Sequence, residues 1–175
     1  MRRWLGAVLV AGVAAGPVAA ANVHICWLGQ NGYSMTGYME FPDELLDAEL
    51  ITEEDVTVFR IAGYLDGELL GEWDKDTRRP DATWYLRYFP ERMHFPTNGE
   101  ILGPFDQGWN ADGTAEDCAE GEFGFNAGNY AQDFCLSGVW VEPSGVLPET
   151  PFHAQNYPIN DVTCRIPALL SKRRG

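Results

Sequence analysis

The clearest pattern in the chain runs from Tyr33 to Phe41. The odd positions Tyr33, Met35, Met39 and Phe41, with Gly37 among them, are apolar or small, and the even positions Ser34, Thr36, Tyr38 and Glu40 can all reach water. A period of two places these sets on opposite faces of a β-strand, one greasy and one wet. Asn31-Gly32 is a turn signal just before it, and Pro42 ends it. Leu45, Leu46 and Leu50 then sit among acids and predict one short helical turn within 43–50.

A second strand is expected over Val56 to Leu65, rich in β-branched and aromatic residues. Asp66-Gly67 follows, and Glu68 to Trp73 is the expected return. An Asp-Gly pair between two such runs signals a hairpin, because the primed turn needs positive φ at both central residues. Thr83 to Phe89 alternates Trp84, Leu86 and Tyr88 against Tyr85, Arg87 and Phe89. Ile101 to Phe105 is a weaker strand split by Gly103 and Pro104, and Asp106 to Gly121 reads as a polar loop throughout. Glu122 to Asn126 and Tyr130 to Cys135 form a hairpin about Gly128, and Gly138 to Glu142 is the last strand. With no amphipathic helix longer than two turns, the pattern predicts an all-β fold: a single disulfide-bonded antiparallel β-sandwich of about seven or eight strands, favoured over a barrel.

The ends read differently. Residues 1–21 start with Arg2 and Arg3, continue through a short apolar run and finish in small residues at Val18 to Ala21, the layout of a signal peptide. The run falls short of a membrane span and is broken by Gly6, Gly12, Gly16 and Pro17. Residues 22–142 form the expected β domain. Residues 143–175, with Pro143, Pro148, Pro151, Pro158 and Pro167, are expected to be an extended segment held mainly by Cys164.

Charge changes the picture of partners. The 175-residue chain carries 12 basic and 26 acidic residues, and loss of residues 1–21 leaves 10 and 26, a net charge of −16. From Met93 to Cys164 there is no Lys or Arg. Such a surface lacks the basic footprint that nucleic acid or an anionic membrane requires, and it attracts cations. After removal of the leader no membrane span is expected.

All four cysteines lie beyond the leader, and an even count in an exported chain predicts two disulfides. Three pairings are open; Cys118–Cys135, closing a local loop, with Cys26–Cys164, tying the two ends, is preferred. Without a Cys-x-x-Cys pair, and with His24, His94 and His153 far apart, zinc is disfavoured.

Catalytic motifs are absent. Gly32-Tyr33-Ser34-Met35-Thr36-Gly37 has one residue too many for a nucleophile elbow and lies within the clean strand. A glycosidase needs only two carboxylates across a cleft, and so many acids neither support nor remove that reading. Calcium is the more physical suggestion, because hard cations take six to eight oxygens. Asp106, Asn110, Asp112, Glu116 and Asp117 supply oxygens on the expected loop. Trp109, in the same stretch with no alternation to bury it, is the candidate ring for ligand stacking.

Two phrases, FRIAGYLDGELLGEWD at 59–74 and GFNAGNYAQDFCLSGVWV at 124–141, resemble exported bacterial β-rich proteins of unknown function. The resemblance covers roughly residues 30–142 and is structural, so it brings no activity. Some such proteins end in a sorting tail, but Ile166 to Gly175 has a Pro, apolar residues and a basic end without a membrane span. The expectation is therefore a secreted or periplasmic acidic domain with a binding or envelope-associated role rather than a catalytic one, its ligand left open and a glycan or envelope component a candidate. The rival is a small carbohydrate-active or other hydrolytic enzyme. An enzyme would join two acids, or an acid and a histidine, in a pocket, whereas a binding module would display rings or an oxygen cage.

Overall fold

The structure, a computed structural model, describes residues 19–100, 105–112 and 118–164. It is all-β. Twelve strands follow in order: β1 (Ala20–Leu28), β2 (Tyr33–Pro42), β3 (Ile51–Thr52), β4 (Val58–Leu65), β5 (Glu68–Asp74), β6 (Trp84–Tyr85), β7 (Arg87–Tyr88), β8 (Phe105–Trp109), β9 (Phe123–Gly128), β10 (Gln132–Leu136), β11 (Val139–Val146) and β12 (Ala154–Gln155). Eight of them are five residues or longer. They build two open five-stranded antiparallel sheets, β12-β1-β2-β4-β5 and β11-β10-β9-β8-β6, with a two-stranded β3-β7 piece beside them. Among the described residues no helix is long and apolar enough to cross a membrane.

Turn chemistry sets the hairpins. Asn31-Gly32, Asp66-Gly67 and Ser137-Gly138 all have positive φ at both residues, from 50° to 86°, which matches the right-handed twist of the strands they join. The expected β2 and the β4–β5 hairpin are present, and β2 pairs with β4 from Tyr33↔Leu65 to Glu40↔Val58. The expected turn under Pro42 is a single 3-10 turn at Asp43–Leu45.

Rings join the two main sheets. Trp27 of β1 meets Phe125 and Phe134 at 5.1 Å between centroids, and Phe59 of β4 meets Trp109 of β8 at 4.7 Å. Most of these contacts are tilted or edge-on, the arrangement the ring quadrupole favours. Gly63 is needed for this closeness, because a Cβ there would lie 2.3 Å from the Phe123 ring. Two glutamines point into the seam and are satisfied. Gln132 accepts from Trp27 Nε1 at 2.8 Å and donates to the carbonyls of Pro148 and Thr150. Gln107 donates to the carbonyls of Arg87 and Pro96.

Several expectations need correction. The stretch after Phe105 is not loop-like throughout: it contains β8, paired with β9 and β6. Its Asp-Gln-Gly sequence lacks an apolar alternation because the inward position at Gln107 is filled by an amide that bonds backbone. Thr83 to Phe89 is not one strand. Trp84-Tyr85 pairs with β8 and Arg87-Tyr88 with β3. The chain after Pro143 is part of the domain rather than a tail held mainly by Cys164, since β11 continues to Val146, Phe152 is buried among rings and β12 pairs with β1. Finally, β1 precedes the first expected strand. Its Val23, Ile25 and Trp27 face the core, so removal of a leader ending at Ala20 or Ala21 trims only the first positions of this strand. Residues 1–18 and 101–104 lie outside the described residues.

Trp27 and Trp109, both buried, differ in one respect. Trp27 donates to Gln132, whereas Trp109 Nε1 has no acceptor among the described residues. Each Trp→Phe change removes similar volume, but only Trp27→Phe leaves a buried acceptor unpaired. Urea denaturation should therefore find Trp27→Phe less stable than Trp109→Phe by about 1–3 kcal/mol. Equal losses would show that the buried bond contributes nothing.

Candidate functional site

Because Val23, Ile25, Trp27, Met35, Met39, Phe59 and Ile61 face the core, the alternate residues of β1, β2 and β4 must face outward. Register then stacks them into cross-strand rows. One row is His24-Tyr38-Arg60-Asp74, and the next is Cys26-Thr36-Ala62-Glu72. A third runs Leu28-Ser34-Tyr64-Leu69. The middle row is short in its centre, at Thr36 and Ala62, and stands between the taller Tyr38/Arg60 and Tyr64. Geometry alone makes this a trough.

Its volume is about 690 Å³, and Pro158 and Ile159 from the C-terminal segment complete the lining. That segment is held to the same face by the Cys26–Cys164 disulfide and by a hydrogen bond from Ser34 Oγ to the Val162 carbonyl at 2.8 Å. Cys26 can reach Cys164 because its position alternates with the inward Ile25 and Trp27. The second bond, Cys118–Cys135, closes a 17-residue separation on the other sheet.

The polar groups of the trough are ordered by one another. Tyr38 donates its hydroxyl to Glu40 Oε1. The Arg60 guanidinium lies 5.3 Å from the centre of the Tyr38 ring, within cation–π range, and His24 approaches the same ring at 5.2 Å. The hydrogen bond to Glu40 is the main reason the Tyr38 phenol is held above its ordinary value, with burial and the Glu40 charge adding to it and Arg60 opposing it. Thr36 Oγ1 and the Tyr64 hydroxyl meet at 3.5 Å across the floor.

Glu122, which also lines the trough, accepts from Asn110 Nδ2 and from Arg79 Nε, both at 3.0 Å, and from the Ala119 amide at 3.2 Å. Burial pushes its carboxyl up, but these bonds and the Arg79 charge outweigh it and hold the group below its ordinary value. This is a structural staple.

The residues singled out in sequence are placed as follows. Trp109 is fully buried, ringed by Phe59, Phe95, Phe125 and Phe152, because β8 turns it inward. It cannot be an exposed stacking ring. Asp106 is buried and accepts the Glu100 amide at 2.7 Å, and Asn110 spends its amide nitrogen on Glu122 and the Phe123 carbonyl. Asp112 is half-buried, while Glu116 and Asp117 lie outside the described residues. Among the described residues no group of three His, Cys, Asp or Glu side chains is arranged to hold a metal.

A smaller cleft of about 300 Å³ holds His94 and Glu100. His94 Nε2 is 3.2 Å from Glu100 Oε2, but its Nδ1 is buried with no partner among the described residues. A histidine base needs its second nitrogen directed at a nucleophile or water. Glu100 orients this one.

No protein-family model, curated protein or solved structure matches the chain. The site therefore rests on its own geometry. Sequence reading missed it because a trough between rows needs the registers of four strands at once; its one local trace was the wet face Thr36, Tyr38 and Glu40.

The Tyr38–Glu40 bond can be read by titration. A raised phenol favours the folded state fully below pH 10, and that contribution disappears as pH climbs through the raised value. In Glu40→Gln the Tyr38 titration, followed by its ring NMR signals, should fall back toward 10. An unchanged titration would mean the carboxylate does not hold the phenol.

Proposed function

We propose that the protein is an exported binding module, secreted or periplasmic, that holds a small polar ligand in the trough on the outer face of the first sheet. Two disulfides and no free cysteine fit an oxidising destination, in keeping with the leader expected at residues 1–21. The observation that carries the reading is the trough itself. Its volume lies within the range of small-molecule sites, and it combines ring faces, hydroxyls and both signs of charge on a rigid sheet. Rings supply area at little entropic cost and the polar groups supply orientation. A glycan or other envelope component remains the natural source of such a ligand for an exported protein.

Binding is favoured over hydrolysis because, of the three acids that line the trough, Glu122 is held by Asn110, Arg79 and the Ala119 amide and Asp74 accepts the Asp76 amide, while His24 lies beside the Tyr38 ring.

Blocking the trough tests the reading. Ala62 lies on its floor and faces outward, so Ala62→Trp fills the space without entering the core. On an array of neutral, aminated and carboxylated glycans and short peptides, the wild-type protein should bind a subset and Ala62→Trp should lose that binding at least tenfold with an unchanged near-ultraviolet circular dichroism spectrum. Binding that survives Ala62→Trp would place the ligand elsewhere and overturn the trough as the site.

A further inference from the structure

Arg60 and Glu72 both line the trough and both are exposed. They belong to adjacent rows on the paired strands β4 and β5, where Arg60 stands opposite Asp74 and Ala62 opposite Glu72. Such diagonal neighbours are about 7–8 Å apart along the sheet, within mutual reach of two long side chains. Yet they do not pair. Among the described residues the ion pairs are those of Lys75, Arg79, Arg87, Arg92 and His94, and none includes Arg60 or Glu72.

In a chain with 26 acids and 12 bases a guanidinium without a carboxylate calls for a reason. Two are visible. Arg60 is drawn over the Tyr38 ring on one side. On the other, its cross-strand neighbour Asp74 turns its Oδ1 away to accept the Asp76 amide at 2.9 Å, capping the 3-10 turn at Lys75–Thr77. The guanidinium keeps its fork of donors open, and the Glu72 carboxylate keeps its lone pairs open, side by side on one trough.

A ligand that is only anionic would satisfy Arg60 but meet Glu72 and Asp74, with the Arg79-paired Glu122 also on the lining. A ligand that is only cationic would satisfy Glu72 but meet Arg60. Neutral sugars would leave both charges to compete with water. From this juxtaposition we infer that the ligand is a small zwitterion of the amino-acid or short-peptide type, its carboxylate on Arg60 and its ammonium on Glu72, with the body of the molecule between Tyr38 and Tyr64 over Ala62. The inference rests on the trough being the binding site and goes further by naming the chemistry it selects.

The probes are alanyl-alanine, its N-acetyl derivative, which keeps only the carboxylate, its C-terminal amide, which keeps only the ammonium, and chitotriose as a neutral sugar. Each is titrated while the backbone amides of Thr36, Tyr38, Ala62 and Glu72 are followed by NMR. Alanyl-alanine is expected to bind at least tenfold tighter than either blocked form and than chitotriose. In Arg60→Gln the free dipeptide and its amide should bind alike, and in Glu72→Gln the free and acetylated dipeptides should bind alike. Both side chains are exposed, so neither change threatens the core, and Arg60→Lys, which keeps the charge, should restore part of the preference.

Equal binding of free and blocked dipeptides, or tighter binding of chitotriose at these same amides, would overturn the zwitterion while leaving the trough as the site. Shifts confined to residues outside the trough would overturn the trough as well. Failure of all four probes to move any amide would overturn the zwitterion alone, since the blocked-trough experiment on the array judges the site independently.

Discussion

Interlocking of aromatic rings between two open sheets is the interaction on which the rest of the molecule depends. Trp27, Phe59, Trp109, Phe125 and Phe134 meet across the seam at centroid separations of 4.7–5.1 Å or pack beside those that do. Each such side chain buries a large apolar area, and the geometry of the contact adds to it. Once these rings are inside, the period of two leaves no choice about what lies outside. A one-residue slip of β2 would send Tyr38 and Thr36 into the seam and Met39 and Met35 into water. The core thus decides the face on which the trough appears.

The chain's ends complete that face. β12 adds to the edge of β1, Phe152 enters the core beside Phe95 and Phe125, and the following residues cross the outer side of the first sheet to Cys164. A bond spanning 138 positions restricts the unfolded chain far more than it restricts the folded one, by about 5 kcal/mol in the chain-entropy model. Its local effect is different in kind: it keeps Pro158 and Ile159 over the sheet as a wall. The same covalent link therefore serves stability through the unfolded state and the site through the folded one.

What the residues disclosed in advance follows from how local each signal is. The β4–β5 hairpin was legible because Asp66-Gly67 fixes a primed turn by itself, and β2 because its two faces differ in polarity at almost every step. The all-β class and the open sandwich followed from such segments. β8 was illegible because its inward position is Gln107, an amide whose partners at Arg87 and Pro96 are distant in sequence. The same misreading exposed Trp109 on paper and buried it in fact. The tail was misjudged because its prolines hide the one ring, Phe152, that anchors it. For the site, Arg60, Tyr64 and Glu72 all stand in the phrase FRIAGYLDGELLGEWD, yet nothing local says that they share a face with His24, Tyr38 and a segment 100 residues away in sequence.

Separation of the core from the trough wall is the most direct test of this account, and the Cys26→Ala/Cys164→Ala double variant provides it. Near-ultraviolet circular dichroism reports the packed rings, and NMR shifts of Thr36, Tyr38 and Ala62 report the outer face. The account predicts a less stable protein whose ring signal below its melting temperature is retained while the trough amides shift as the wall is released. Loss of the ring signal in the folded protein, or trough amides that do not move, would contradict it.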